Sequence, residues 1–207
     1  MDHLLLSTAY FPPVSFFMAA ARGGSVLVEA CENYQKQSYR NRCRIYAAGG
    51  PEVLQIPVCH GESRHIRDIR IDWSREWLHQ HKYAIISAYR SSPFFEYYWD
   101  DIESVLDSHH EFLFDLNMQL TECIASLMNL RTRFGVTGGF VAPSETLDAA
   151  DPCDLRYAIH PKKSLPEGLF TFKEYYQVFS AKHGFIPDLS VLDLLFHEGP
   201  QASDYLK

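Results

Sequence analysis

The first thirty residues restrict the fold more than anything that follows. Residues 3–8, with Leu4-Leu5-Leu6, read as a short apolar strand, and Pro12-Pro13 turns the chain. Val14–Ala21 then reads as a helix stopped by Gly23-Gly24, and Val26-Leu27-Val28 is a second apolar run. Strand, helix and strand in so little chain make a βαβ unit, whose strands are parallel and whose crossover is right-handed.

Other elements follow from pattern. Residues 43–47 and 53–58 flank Gly49-Gly50-Pro51, a hairpin signal. Asp68–Ile71 reads as a further strand. The period then changes. Trp77, Tyr83, Ala84, Ile86 and Ala88 fit a helix after Ser74. Ser92-Pro93 reads as a helix start with Ser92 as N-cap. Ser108 and Glu111 have capping-box spacing ahead of an amphipathic helix over about 108–130. Val136–Val141 is a candidate strand, and residues 144–168 look loop-rich. Thr171 and Glu174 give a second capping box, with Phe172, Tyr175, Tyr176 and Phe179 on one face up to Gly184. A last helix starts at Asp188 or Ser190 and ends at Gly199-Pro200. The expected fold class is α+β: a mixed β-sheet with an N-terminal βαβ element, packed with helices from the middle and C-terminal segments. At 207 residues, 46% hydrophobic and 22% charged, the chain suits one domain over 1–207. No apolar run is long enough for a membrane span, and no basic leader precedes Leu4. Cys31, Cys43, Cys59, Cys123 and Cys153 are odd in number and form no CxxC pair, which argues against a disulfide framework and a zinc ribbon. A cytoplasmic location is expected.

Charge is segregated. The whole chain carries −7, which argues against nucleic-acid binding by overall charge. Residues 36–70 nevertheless hold seven basic side chains against three acidic ones, a local +4. Arg40, Arg42 and Arg44 alternate, so in a strand they share a face. Guanidiniums in a row suit phosphate or carboxylate, which they grip bidentately, and they also suit a plain solvated face. Tyr34 and Tyr39 have the rings to stack bases, but no nucleic-acid motif accompanies them.

No phosphate loop, dinucleotide fingerprint, nucleophile elbow or HExxH helix is present. No cofactor is assigned, and no metal site. His79 with His81, and His109 with His110, are spaced wrongly to share a metal on a helix. Each single histidine has the pKa of a general base. Asp193 stands in Val191-Leu192-Asp193-Leu194-Leu195-Phe196, apolar on most faces. A carboxylate there needs a partner or a cavity. The partner is expected from the N-terminal sheet, Arg42 or Arg44.

Several stretches occur together: Thr8-Ala9-Tyr10-Phe11-Pro12-Pro13; Glu32-Asn33-Tyr34-Gln35-Lys36 with Tyr39-Arg40-Asn41-Arg42-Cys43; Ala88-Tyr89 with Ser92-Pro93-Phe94-Phe95-Glu96-Tyr97-Tyr98; His160-Pro161-Lys162-Lys163; Tyr176-Gln177-Val178-Phe179 with Gly184-Phe185-Ile186-Pro187-Asp188-Leu189-Ser190. In their order and spacing they resemble the WbqC-like protein family, in its Bacteroidetes-type branch, over about residues 4–206. Members of that family occur in surface-polysaccharide (O-antigen) gene clusters, and a glycine-transferase role has been suggested for one branch. The O-antigen branch has Gln-Pro-Tyr before Phe-Phe-Pro, where this chain has Ser7-Thr8-Ala9. Its Asp-Asp after the second strand is replaced by Glu29-Ala30 or Glu32-Asn33. Its lysine and Asn-Arg pair are matched by Lys36, Asn41 and Arg42.

The resemblance implies an enzyme of surface-glycan or amino-sugar modification acting on an anionic small molecule such as a sugar nucleotide. Aminoacyl or glycine transfer to a sugar amine needs an anchor for phosphates, a donor to the developing oxyanion and a base. Lys36 and Arg42 are cast as the anchor with Asn33 beside them, Asn41 as the donor, and His81 or Asp193 as the base. The rival is a non-catalytic sugar-nucleotide-binding or scaffold protein of the same pathway.

Overall fold

The structure, a computed structural model, describes residues 4–59, 61, 63–142 and 153–207. Strand β1 (Leu4–Ser7), helix α1 (Val14–Gly23) and strand β2 (Ser25–Glu29) form the βαβ unit. β1 and β2 pair in parallel, Leu4 opposite Val26 and Ser7 opposite Glu29. Gly24 takes the left-handed conformation (φ 60°) that lets α1 stop and the chain return. Seven consecutive residues of α1, Val14–Ala20, are buried, so the crossover helix is wrapped by protein rather than half exposed.

The hairpin follows as β3 (Arg42–Ala47) and β4 (Gly50–Gln55), antiparallel and separate from the parallel sheet. Helices α2 (Trp77–Tyr89), α3 (Phe95–Asp107) and α4 (Leu113–Leu127) occupy the middle. β5 (Arg133–Val136) adds to β2 in parallel and completes a sheet of order β1-β2-β5. Helices α5 (Ser180–His183) and α6 (Val191–Glu198) and a 3-10 segment over Gly199–Leu206 close the chain. The fold is α+β, with a parallel sheet and an antiparallel pair.

Five local expectations are corrected. Residues 68–71 form no strand; a 3-10 turn at Ile66–Asp68 leads into single bridges of Arg70 to Phe112 and Ile71 to Val58. α3 starts at Phe95, and the Ser92 hydroxyl meets His197 Nε2 at 3.2 Å instead of capping. Ser108 belongs to the end of α3, where its hydroxyl donates to the Val105 carbonyl at 2.6 Å; Glu111 pairs with Arg70, and α4 begins at Leu113 without a side-chain cap. The strand expected at 136–141 lies earlier, because Thr137 and Val141 are drawn off to hydrogen-bond Glu29. The helix expected over 171–183 is reduced to α5, since Gln177 bonds the Ile186 N–H and carbonyl and turns towards α6. Of the loop expected at 144–168, residues 144–152 lie outside the described residues, and 153–168 form no helix or strand.

One apolar core runs from Leu4 to Leu206 and includes the fully buried Phe11, Phe17, Met18, Ile45, Ile102 and Phe196. The segment before α6 is tied to the N-terminal unit by the bridge of Pro13 to Ser190 and by the Val14 N–H to Leu189 carbonyl bond of 2.9 Å. Ser190 caps α6, its hydroxyl accepting from the Leu192 N–H, and Gly199 ends it. No helix among the described residues is long and apolar enough to cross a membrane.

Candidate functional site: a cation-lined cavity beside a buried ion-pair network

A one-turn 3-10 segment, Tyr39–Asn41, precedes β3; Ser38 caps it by accepting from the Arg40 N–H. The turn sends neighbouring side chains to different places. Asn41 is buried, donates from Nδ2 to the Ile56 carbonyl at 2.8 Å, and takes the Ile56 N–H on its own carbonyl at 2.8 Å. It thereby fastens the start of β3 to the end of β4. Asn41 Oδ1 has no hydrogen-bond partner among the described residues, nor has Arg42 Nε. Arg42 donates to Gln55 Oε1 at 3.0 Å.

Lys36, Asn41 and Arg42 line one open cavity of about 940 Å³ together with Arg64 and Arg75. Tyr34, Gln55, Pro57, Val58 and Cys59 supply further wall, and among the described residues Asp72 is its carboxylate. Asp72 is held below the ordinary carboxylate range by the Ser74 hydroxyl and amide and by Arg75. Gln37, another wall residue, has a left-handed backbone (φ 59°) and its side chain accepts from Lys162 Nζ. The His160-Pro161-Lys162-Lys163 stretch thus reaches the rim. Burial first, then Lys163, Arg40, Lys162 and Arg42, push His160 below its ordinary value. A neutral ring is therefore surrounded by cations.

The other sequence candidates lie elsewhere. Asn33 is exposed and forms a backbone bridge with His65, but it is not on the cavity wall. His81 is buried behind β4, with Nδ1 2.9 Å from the Tyr10 hydroxyl and its ring edge-on to Trp77. Burial pushes it down to about 4, against the opposing pull of the Gln55 carbonyl. It is a neutral core histidine with both ring nitrogens engaged.

Asp193 faces the interior, but its partners come mainly from the C-terminal third, with Tyr89 of α2 beside them. The Tyr175 hydroxyl and Gln177 Nε2 each donate to Oδ2 at 2.7 Å. The expected Arg42 or Arg44 is not there: Arg42 turns to Gln55, and Arg44 Nη2 donates to the Asp188 carbonyl at 3.4 Å. Burial raises the Asp193 carboxyl, opposed by His197, Tyr175, Gln177 and Tyr89. Ser92, His197 and Asp193 have the residue types of a hydrolytic triad but not its geometry. His197 Nδ1 is 2.6 Å from the Asp193 backbone carbonyl and 3.9 Å from the carboxylate, and Nε2 already accepts the Val178 N–H at 3.2 Å. With that lone pair taken, Ser92 has no base.

Pattern reading missed a buried network at the C-terminal ends of the parallel strands. Arg40, expected to share a face with Arg42 and Arg44, turns inward because the 3-10 turn breaks the strand alternation. Its Nε donates to Glu32 Oε1 at 2.8 Å and its Nη2 to the Ser7 hydroxyl at 2.8 Å. Beside it, Arg156 donates to Glu29 at 2.8 Å and to Asp154 at 2.6 Å and 2.9 Å. The Thr137 hydroxyl donates to Glu29 at 2.6 Å. Burial alone would raise the Glu29 carboxyl; Thr137, the Cys31 and Val141 amides and Arg156 hold it below its ordinary value. The one hint in the sequence was Glu29 and Glu32 standing at the end of β2. Arg156, 127 residues from Glu29, gave no local signal.

Fold and site together describe an α+β protein with a cation-lined cavity of small-molecule size. The chain belongs to the WbqC-like protein family, whose family model matches residues 8–153. That stretch holds Lys36, Asn41, Arg42 and His81 and stops before Arg156 and Asp193. The chain is similar to the uncharacterized protein Rv1507c of Mycobacterium tuberculosis (strain ATCC 25618 / H37Rv), 26% identical over 226 residues and covering 98% of this chain and 96% of the relative. No solved structure gives a significant match.

Proposed function

We propose that the protein binds an anionic small molecule of the sugar-nucleotide class in this cavity, in the service of surface-polysaccharide or amino-sugar modification. One observation carries the binding half: Lys36, Asn41 and Arg42 share a single cavity wall with Arg64 and Arg75. Guanidiniums at such a wall suit phosphate oxygens, and Asn41 Oδ1 is an acceptor still to be used. The pathway half is supported by the family resemblance alone.

Two readings of the same site follow. In the transferase reading, the bound sugar accepts a glycyl or other aminoacyl group, and Asn41 Nδ2, one of whose hydrogens is held by the Ile56 carbonyl, donates the other to the developing oxyanion. In the binding or scaffold reading, the ligand is held and presented unchanged. The second is favoured by the placing of His81 and Asp193 away from the cavity wall. Titration calorimetry with a uridine diphosphate sugar tests the binding half. Saturable binding is expected, weakened about ten- to a hundredfold in Arg42→Ala for the loss of a charged hydrogen bond. Equal affinity of wild type and Arg42→Ala overturns the assignment. Mass spectrometry of the recovered sugar nucleotide, after incubation with glycine and ATP, separates the readings. An added glycyl group supports transfer, and an unchanged mass supports binding alone.

A further inference from the structure

Five cysteines are present, and Cys59 is the exposed one; Cys31, Cys123 and Cys153 are half-buried and Cys43 is buried. Cys59 stands on the wall of the cation-lined cavity. Its position is fixed by the backbone: its N–H donates to the Arg70 carbonyl at 2.9 Å, and the adjacent Val58 bridges Ile71. The thiol lies 3.7 Å from the Ile71 carbonyl oxygen. The same wall carries Lys36, Arg42, Arg64 and Arg75, and Asn41, 2% exposed, whose Oδ1 is unpartnered among the described residues. Against these four cations the described wall carries one carboxylate, Asp72, paired with Arg75, and a cavity with such an excess of one sign concentrates reagents of the other. Cysteine reactivity follows access and electropositive surroundings. Cys59 combines both, whereas burial pushes the thiols of Cys43 and Cys123 up and away from reaction.

We propose that Cys59 is a site of reversible S-thiolation by an anionic low-molecular-weight disulfide, and that the adduct fills the cavity and excludes its ligand. The proposal rests on the anion-binding reading of the cavity. The Cys59 thiol releases its proton to solvent, and the thiolate attacks one sulfur of the incoming disulfide. The new S–S bond forms as the old one breaks, and the departing half leaves as a thiolate with the bonding electron pair and takes up a proton. Cys59 is oxidised, the disulfide is reduced, and no further oxidant takes part. A tripeptide-sized adduct fits, since the cavity lies at the upper end of the size range of small-molecule sites.

The test treats the full-length protein with oxidised glutathione, an anionic disulfide, or with cystamine, a cationic one, and maps modified cysteines by mass spectrometry against time. Cys59 is expected to react first. Its preference for oxidised glutathione over cystamine should exceed that of the urea-unfolded protein by about tenfold and collapse at about 0.5 M salt. Inorganic pyrophosphate should slow the reaction. The glutathionylated protein should lose pyrophosphate binding by calorimetry and regain it with dithiothreitol, and Cys59→Ser should show no treatment-dependent loss. Earlier reaction at another cysteine, no charge preference, or unchanged pyrophosphate affinity of the adduct overturns the proposal. Pyrophosphate binding by the untreated protein with an unreactive Cys59 overturns this proposal alone. No pyrophosphate binding by the untreated protein overturns the cavity reading and this proposal with it.

Discussion

Arg40 and Arg42 are two residues apart and meet opposite surroundings. Arg40 is 2% exposed and saturated by Glu32 and Ser7, next to the equally enclosed Arg156 with Glu29 and Asp154. Arg42 stands on the cavity wall with the Gln55 amide as its hydrogen-bond partner, and its Nε has no partner among the described residues. In the first region both guanidiniums have their carboxylates built in, and removing either partner strands a charge in a buried place. In the second, the cations outnumber the carboxylates among the described residues of the wall. Charge that the fold has already neutralised serves the fold; charge left over is available to a ligand. Asp193 is a third case, a buried carboxylate held by hydroxyl and amide donors with no guanidinium, and its carboxyl shifts up where that of Glu29 shifts down.

The largest expected effect falls on the paired region. Arg156→Met leaves Glu29 and Asp154 uncompensated, and urea unfolding should show a loss of about 3–5 kcal/mol. A loss under about 1 kcal/mol would place this pair with exposed ones and remove the contrast. His81 comes next, because it tests whether the core accepts a new cation without a partner. With its folded value near 4, its share of stability is full above the ordinary value and is lost as pH falls from about 6.5 towards 4. The wild type should lose about 3 kcal/mol over that range from this residue, and His81→Gln should show a flatter profile.

Arg42→Ala sharpens the other side. Its stability should stay within about 0.5 kcal/mol of wild type, as for surface changes, while anion binding weakens by about 1.5–3 kcal/mol. A variant that unfolds without a binding defect would make Arg42 structural. The smallest effect is expected of Asp193→Asn, within about 1 kcal/mol at neutral pH, since one oxygen can still accept from Tyr175 and Gln177. Its signature is the pH slope. A carboxyl raised in the folded state contributes fully below its ordinary value, about 3.9, and that contribution is lost as pH rises from there through the raised folded value. Glu29, lowered in the folded state, acts in the opposite sense: its contribution is present above the ordinary value and lost as pH falls. Acid unfolding curves of Asp193→Asn and Glu29→Gln should therefore depart from wild type with opposite slopes; slopes of the same sign would remove the distinction.

Local pattern was a good guide where local physics decided the outcome. Leu4–Leu6, Gly24 and Val26–Val28 need only apolar runs and a left-handed stop to define the parallel unit, and Ser190 with Gly199 bounds α6 for the same reason. Capping signals failed where another partner claimed the same side chain: Ser92 turned to His197 and Glu111 to Arg70 across the fold, and Ser108 to the Val105 carbonyl in the last turn of α3. The placing of Lys36, Asn41 and Arg42 on one cavity followed from their closeness in the chain; Arg64 and Arg75 join them through the fold.

By itself the sequence determined the α+β class, the basic segment between β2 and α2, and the need for Asp193 to find a partner inside. Those are consequences of periodicity, charge and the cost of burying an ion, and all are properties of neighbouring residues. The tertiary structure decided which ions are spent on the fold and which face the cavity. Arg40 is separated from Arg42 by one turn of 3-10 helix, and Glu29 meets Arg156 across 127 residues. Which carboxylate a guanidinium meets depends on distances of a few ångströms between segments far apart in the chain, and no local pattern encodes them.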